Sequence, residues 1–437
     1  MVPRLGGCYR HVSKVITPHS EDVQCGPMGI AHGRTLRTMR LLYVHERFGP
    51  LGGAEANILL TAQELKFRGH EVAIAFGGSD QSAGNEWLGT FGTRFSLDET
   101  PTALEAALAV FNPDVVFLHK HSDSRILHAL SEAYAPVVRM VHDHDLYCMR
   151  SYKYNFFTRQ VCNRAASAYC VFPCGACVVR SSGSGLPIRW VSYLAKRREI
   201  ETNKKFHRMV VATDYMRDEL LRNGFSPDKI ENHAPVPRTG RASDSPTFGS
   251  RNLIVYSGQI IRGKGVDVLL RALAKVGSPF ECRIFGDGNQ RSKCELLSRR
   301  LGISDSVHFE GFVPQSQIAE AYRDASLAVM SSLWPEPFGA AGLEAMRIGL
   351  PVVAFDAGGI SEWLIDGVNG KLIAWGDTRA FALAVDNLLQ DKTLARTMGV
   401  NGQNFANKRF NMDSYIDGLE GLFERASSGH KSETLTP

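Results

Sequence analysis

The sequence contains no long apolar run: nowhere in its 437 residues do ~18 consecutive hydrophobic residues occur, the length a membrane-spanning helix needs. The first 38 residues also lack the apolar segment of a secretory leader, because Pro3, Arg10, His11, Lys14 and Pro18 break every run. The cytoplasm is therefore the expected compartment. Neither sign of charge dominates: 50 Lys and Arg face 45 Asp and Glu, and a net +5 over this length gives no case for nucleic acid as a partner. Cysteine is sparse outside one short stretch, Cys148 to Cys177, which holds five of the nine. In a reducing compartment such a cluster reads as free thiols or metal ligands rather than disulfides.

What is present is a repeated alternation of short apolar runs and helical periods. The chain is too long for one ordinary core, which predicts two domains. Residues 1–38 show neither period and read as a disordered tail, or as a non-native extension upstream of Met39. Leu41, Leu42, Tyr43 and Val44 then read as a buried strand, followed by a glycine turn at Gly49, Gly52 and Gly53. A helix over 55–68 presents Ile58, Ala62 and Leu65 on one face, and a second strand covers 72–76. Helices over 102–110 and 126–133 alternate with strands over 115–118 and 137–141.

Pro235, Pro237, Gly240, Pro246 and Gly249 mark 236–251 as a linker. Beyond it the rhythm restarts, with strands over 253–256, 282–285, 307–309, 327–330 and 352–355. Apolar strands separated by helices argue for parallel sheets covered on both faces. The expected class is α/β: two Rossmann-like doubly wound domains, 39–235 and 252–412, facing across a cleft, with a final helix over 413–428. In such sheets ligands bind beyond the carboxyl ends of the strands.

Three segments at predicted strand ends carry chemistry. In Trp334-Pro-Glu-Pro-Phe-Gly-Ala-Ala-Gly-Leu-Glu344 a proline-bounded loop leads into a helix near Gly339. That puts Glu336 at the helix mouth and Glu344 about 7 Å deeper along the axis. Backbone N–H groups around Phe338, Gly339, Ala340 and Ala341, with the helix dipole, favour a phosphate there, and carboxylates accept from paired sugar hydroxyls. The plainer alternative is that both glutamates only complement the dipole. Ser257-Gly-Gln-Ile-Ile-Arg-Gly-Lys-Gly265 places Lys264 between glycines, a point charge suited to a diphosphate or else an ordinary solvated turn. Phe285-Gly286-Asp-Gly288 lacks the third glycine of a dinucleotide fingerprint and speaks weakly for NAD.

Together these segments resemble the large family of retaining glycosyltransferases with the two-Rossmann GT-B fold, family 4, over residues 40–425. Glu336 and Glu344 match its paired-glutamate motif, and the run from Gly349 to Glu362 matches the family's segment C-terminal to that motif. Phe309-Glu-Gly-Phe-Val-Pro314, with Phe312 in it, resembles the loop that holds the nucleobase. Gly52-Gly53-Ala-Glu55 resembles the glycine loop of the acceptor domain. The resemblance implies that Glu336 contacts the donor-sugar hydroxyls, Glu344 the ribose and Lys264 the diphosphate of a nucleoside-diphosphate sugar. Gly286 joins this donor set. Where the family carries an arginine two residues after Ser257, this chain has Gln259, and Arg262 is the candidate substitute.

His142, after a strand end, matches a histidine close to the transferred sugar; its alternative role is to tie down a loop, and His119 is a weaker candidate. No carboxylate of the N-terminal domain stands out as a nucleophile, and the resemblance implies front-face attack assisted by the leaving phosphate, a scheme that needs no catalytic cofactor. The implied acceptor is a glycan or a lipid-linked sugar in cell-surface polysaccharide synthesis. Two rivals are a non-catalytic nucleotide-sugar-binding protein and a sugar-nucleotide epimerase of the same fold. The epimerase would need a further acid/base set that is not evident.

Between 148 and 208 the family rhythm breaks. Cys162, Cys170, Cys174 and Cys177 have spacings that loosely match a structural zinc site, the alternative being unligated thiols. A basic run over 180–208 comes next, including Arg180, Arg189, Lys196, Arg197, Arg198, Lys204, Lys205 and Arg208. It reads as a solvated helix face, or as a peripheral contact with anionic lipid at the inner face of the membrane.

Overall fold

The apolar runs become strands, as a computed structural model shows. It describes residues 37–433 apart from 51, 79–83, 99–101, 156, 173, 181–187 and 238–250. Nearly all of the expected 1–38 extension and most of the 236–251 linker therefore lie outside the described residues. The chain from Thr38 onward forms one unit.

The N-terminal half opens with β1 (Arg40–His45), α1 (Gly53–Phe67), β2 (Glu71–Phe76), α2 (Gly84–Thr90) and β3 (Thr93–Ser96). It continues with α3 (Ala103–Phe111), β4 (Val115–Leu118), α4 (Ser124–Ser131) and β5 (Val137–Met140). An irregular stretch then leads to an antiparallel pair, β6 (Val178–Arg180) and β7 (Ile188–Trp190). α5 (Tyr193–Lys204), β8 (Arg208–Val211), α6 (Asp214–Arg222) and β9 (Ile230–Asn232) complete this half. Its parallel sheet has the order β3-β2-β1-β4-β5-β8-β9.

The C-terminal half runs β10 (Leu253–Ser257), α7 (Val266–Leu273), β11 (Glu281–Phe285), α8 (Arg291–Arg300), β12 (Val307–Gly311) and α9 (Gln315–Ala321). It ends with β13 (Leu327–Met330), α10 (Ala340–Ile348), β14 (Val352–Phe355), β15 (Gly370–Ile373), α11 (Thr378–Gln390), α12 (Lys392–Arg409) and α13 (Met412–Glu433). The second parallel sheet has the order β12-β11-β10-β13-β14-β15.

Strands buried on both faces explain the apolar runs. Leu41, Leu42, Tyr43 and Val44 are wholly buried, as are Val352, Val353, Ala354 and Phe355 in the second sheet. Strand order reverses between β1 and β4 in one sheet and between β10 and β13 in the other. At such switch points the loops beyond the carboxyl ends part and leave a crevice. The first crevice is bounded by His45 and His119, the second by the Gly258–Gly265 loop and Ser331.

α13 belongs to the C-terminal half in sequence but covers the N-terminal sheet. Phe423 packs edge-on against Phe117 with ring centres 5.0 Å apart. Tyr415 Oη accepts from Asn57 Nδ2 at 3.0 Å. His70 accepts from the Met39 amide through Nδ1, so its Nε2 donates to the buried Glu420 carboxylate at 2.9 Å, which Arg68 also reaches at 2.8 Å. Burial of Leu419, Leu422 and Phe423 adds ~1.5–3 kcal/mol each. Among the described residues no helix is long and apolar enough to cross a membrane.

Candidate active site

In the second crevice the backbone explains why glycines flank Lys264. Gly265 has φ +67°, and a Cβ there would lie 2.1 Å from the Ser331 carbonyl oxygen. Gly263 O accepts from the Leu333 and Trp334 amides at 2.8 and 3.0 Å, and Ser331 Oγ donates to Lys264 O at 3.0 Å. The loop is thus stitched to the exit of β13. Lys264 Nζ stands 2.6 Å from Glu336 Oε1 and 4.9 Å above the Trp334 ring. Ser332 Oγ donates to the same carboxylate oxygen. Burial pushes the Glu336 carboxyl up, but Lys264, Ser332 and the Trp334 indole outweigh it and hold the group below its ordinary value. Glu336 is therefore an ionised carboxylate, 3% exposed, paired with one cation.

The loop that carries Glu336 is fixed from two sides. Within its own half, the Glu336 amide donates to Ala357 O at 3.1 Å and its carbonyl accepts from the Gly359 amide at 2.8 Å. From the other half, His144 Nε2 lies 2.7 Å from Pro335 O and Thr213 Oγ1 donates to Pro337 O at 2.7 Å. Beyond the loop, α10 begins after Gly339 without a side-chain cap, and Trp363 Nε1 donates to Phe338 O at 2.6 Å. Ala340 is exposed and Ala341 half-buried at this helix mouth. Glu344, one turn in, is nearly buried beside Tyr322; burial, with that carboxylate near, pushes the Tyr322 phenol well up.

Gly286 approaches its neighbour too closely for a side chain. Its φ is +143°, a Cβ would fall 2.0 Å from Gly258 O, and its amide donates to Gly311 O at 2.6 Å. This close pairing joins the ends of β10, β11 and β12. At their rim Phe312 is 76% exposed, a free aromatic face where the nucleobase loop was expected. Gln259 is exposed, and its carbonyl accepts from Tyr256 Oη at 3.3 Å. Burial pushes the Tyr154 phenol of the other half up, and Arg262, close enough to act on it, offsets only part of that.

The first crevice is lined by imidazoles. His142 Nε2 and His119 Nδ1 are 2.8 Å apart with stacked rings, so one donates to the other. Burial, with His45 near, pushes His142 down to about 3, and it is neutral at pH 7. His45 Nε2 lies 3.1 Å from Glu55 Oε1, while Glu55 Oε2 accepts from the Gly52 amide at 2.9 Å. Gly52 and Gly53, both exposed, are thus held at the start of α1 by Glu55, a capping contact that the glycine motif alone did not reveal. Close by, Lys120 Nζ meets Asp143 and Asp145 at 3.2 Å each. Lys120 holds Asp145 down against its burial, and Asp143, buried against that charge, is pushed up.

In the cysteine-rich segment, Cys148 and Cys162 lie near enough to Cys170 and Cys174 to act on their thiols. Among the described residues no group of three or more His, Cys, Asp or Glu side chains is arranged to hold a metal ion. Cys162, Cys170, Cys174 and Cys177 are all free. Cys177 turns into a small apolar cluster with Met149 and Ala176, its Sγ 4.0 Å from Val171 O, and Cys170 and Cys174 pack against the same cluster. Burial pushes the Cys170 and Cys174 thiols up, with the neighbouring thiols adding to it. The segment instead reaches the opposite half. Arg159 forms a two-pronged pair with Asp267 at 2.9 and 3.1 Å, and Tyr152 packs towards Trp334.

Much of the basic run is also paired: Lys196 with Glu199 at 2.5 Å, Lys204 with Glu201 at 2.9 Å and Lys205 with Glu132 at 2.8 Å. Arg197 and Arg198 are exposed, whereas the side chains of Arg180 and Arg189 lie outside the described residues.

The structure therefore gathers Lys264, Glu336, Gly286 and Phe312 along one set of strand ends, and His119 and His142 along the other. Sequence reasoning missed His144, Thr213, Arg159 and the Lys120 cluster. Only the strand-end position of the His-Asp-His-Asp run hinted at the first and last of these.

Comparison with known proteins agrees with this arrangement. Residues 51–231 match the model of "Glycosyltransferase Family 4" and residues 241–405 that of "Glycosyl transferases group 1". The alpha-D-kanosaminyltransferase of Streptomyces kanamyceticus is 26% identical over 245 residues, 53% of this chain and 63% of that protein. The D-inositol 3-phosphate glycosyltransferase of Corynebacterium kroppenstedtii is 32% identical over 242 residues, 50% of this chain and 53% of that protein. The chain thus spans under two thirds of the length of these curated relatives. Among solved structures, Anabaena Alr3699/HepE in complex with UDP and glucose superposes with a TM-score of 0.67 at 19% identity, over 88% of this chain and 99% of that one. The likeness shows a shared GT-B fold. The chain belongs to the GT-B glycosyltransferases of the family 4 type.

Proposed function

We propose that this protein is a retaining hexosyltransferase that moves a sugar from a nucleoside diphosphate to a glycan or lipid-linked acceptor in cell-surface polysaccharide synthesis. The observation that carries the reading is the part-buried Lys264–Glu336 pair at 2.6 Å, on the loop that leads into α10. A diphosphate competes with Glu336 for Lys264, and the carboxylate so released accepts from the donor-sugar hydroxyls. Glu344, with several lone pairs, accepts from the ribose, and Phe312 stacks on the base.

Transfer then forms the bond from the acceptor oxygen to the anomeric carbon and breaks the bond from that carbon to the β-phosphate oxygen. The bonding pair stays with the phosphate, which takes the acceptor's proton on the same face of the sugar, so configuration is kept. Lys264 and the N-terminal amides of α10 stabilise the departing charge. His142, neutral at pH 7, is suited to a hydrogen bond with the sugar and not to a charge contact.

Exposed Leu194, on the same helix as the exposed Arg197 and Arg198, supports peripheral contact with an anionic membrane, where a lipid-linked acceptor would lie. The test is a donor panel scored by thermal shift, then assay of nucleoside diphosphate released with and without acceptor. Release that depends on acceptor, with the product anomer unchanged by NMR, is expected. Binding without any release would favour a non-catalytic role, and inversion of the anomer would refute retention.

A further inference from the structure

Glu336 sits between two prolines, so its loop has few amides with which to fix itself. Pro335 and Pro337 donate nothing, and their carbonyls need partners. Both partners come from the opposite half of the molecule. His144 is fully buried, and its Nε2 lies 2.7 Å from Pro335 O. A carbonyl only accepts, so the proton is on Nε2, and Nδ1 accepts from the Tyr147 hydroxyl at 2.8 Å. Burial pushes this imidazole down to about 4, which keeps the single-proton form at neutral pH. Thr213 donates to Pro337 O at 2.7 Å while its oxygen accepts from the Met216 amide at 3.2 Å, capping α6. The tie is reciprocal, because Glu362 of the C-terminal half accepts from the Asp214 and Tyr215 amides at 3.0 and 2.9 Å.

We propose that His144 and Thr213 are positioning residues: from the acceptor half they clamp the two carbonyls that flank Glu336, so the donor-sugar carboxylate is placed for transfer only while the two halves are closed. The proposal rests on the assignment of Glu336 as the sugar contact. Of the four hydrogen bonds made by the Pro335, Glu336 and Pro337 backbone, two belong to its own half and survive opening. The other two are lost when the cleft opens. Lys264 stays tethered through Ser331 and Gly263 in either case, so the diphosphate is held in both states and the sugar in one. Such coupling lets the enzyme take up donor while open without presenting the sugar to water.

The test uses the full chain and needs no known donor for its first readout. His144→Phe keeps the ring contacts with Tyr147, Tyr215 and Trp334 and removes the donor, and His144→Gln restores an N–H. Thr213→Val removes the hydroxyl, and Thr213→Ser keeps both the clamp and the cap. Amide hydrogen exchange across 334–343 is expected to quicken about fivefold in His144→Phe and Thr213→Val, the scale of one lost hydrogen bond. It stays near wild type in the Gln and Ser variants, with β13 and β14 protected throughout.

Unchanged exchange at 334–343, or Ser behaving as Val, overturns the clamp. If His144→Phe does not fold, the Thr213 pair decides. The second readout compares UDP with UDP-glucose by calorimetry. The extra affinity contributed by the sugar is expected to collapse in His144→Phe while UDP affinity holds. A loss of UDP affinity equal to that of UDP-glucose would make the residues merely structural. If wild type binds neither, the donor reading fails for that nucleotide and exchange alone judges the clamp.

Discussion

Replacing Lys264 by Met removes one charge from a pair whose other member is almost wholly enclosed. The ammonium lies 2.6 Å from Glu336, whose side chain is 4% exposed while that of Lys264 is 21% exposed. Breaking a buried pair by removing one partner costs about 3–5 kcal/mol. Here the lysine is partly hydrated and Ser332 still donates, so ~2 kcal/mol is expected at pH 7.5. For a domain of 150–250 residues this corresponds to ~4–8 °C in the unfolding midpoint.

The pH dependence is the sharper test. In the wild type, Glu336 is held below its ordinary value, so its contribution is present above the unfolded carboxyl pKa and is lost as pH falls through the folded one. Without Lys264, burial pushes the carboxyl up, it takes a proton on acidification, and the deficit against wild type shrinks. Calorimetric scans at pH 7.5 and 4.5 should show the gap narrowing, and Lys264→Met with Glu336→Gln should recover most of it at pH 7.5. Turnover should fall about 100-fold, the scale of losing one charge-stabilising group. An equal deficit at both pH values, with no recovery in the double variant, would refute the reasoning.

Glu344→Ala should weaken donor binding by about 10- to 100-fold, the worth of a hydrogen bond to a charged group, whereas Glu336→Gln should lower kcat more than binding; titration calorimetry and initial rates separate the two. Gly286→Ala forces a methyl against Gly258 O, so nucleotide binding by equilibrium dialysis should drop at least tenfold even where the circular dichroism spectrum is kept. His142 is neutral and held far below the ordinary histidine value, so the unfolded chain binds the extra proton and stability falls as pH drops below about 6.5. Near pH 5 the loss from this residue is ~2 kcal/mol. His142→Gln should flatten that acid limb in denaturant titrations, and an unchanged limb would show that the imidazole is hydrated.

The parallel strands were legible because burial on both faces leaves no polar alternation: Val116, Phe117 and Leu118 can only be interior. β3, an edge strand whose Thr93 and Arg94 are exposed, carries no such mark, and β8 starts at Arg208, where a run read for its charge ends. Among site residues, Lys264 and Glu336 announced themselves through the glycines and prolines that their backbones require. His144 and Thr213 did not, because their partners are main-chain carbonyls 191 and 124 residues away, and a carbonyl leaves no trace in residue identity. The cysteine spacing marked the segment, but spacing does not give direction: that Cys177 faces Met149 and Ala176 is visible only in the fold.

The placement of α13 has a consequence for biosynthesis. The N-terminal sheet emerges from the ribosome first, yet Phe117 and His70 wait for Phe423 and Glu420, more than 300 residues later. Until α13 has been made, an apolar face of the nascent first domain is uncovered, open to chaperones or to wrong partners. Completion of the N-terminal domain therefore waits on the synthesis of α13, and a chain stopped before Met412 is expected to keep that face uncovered.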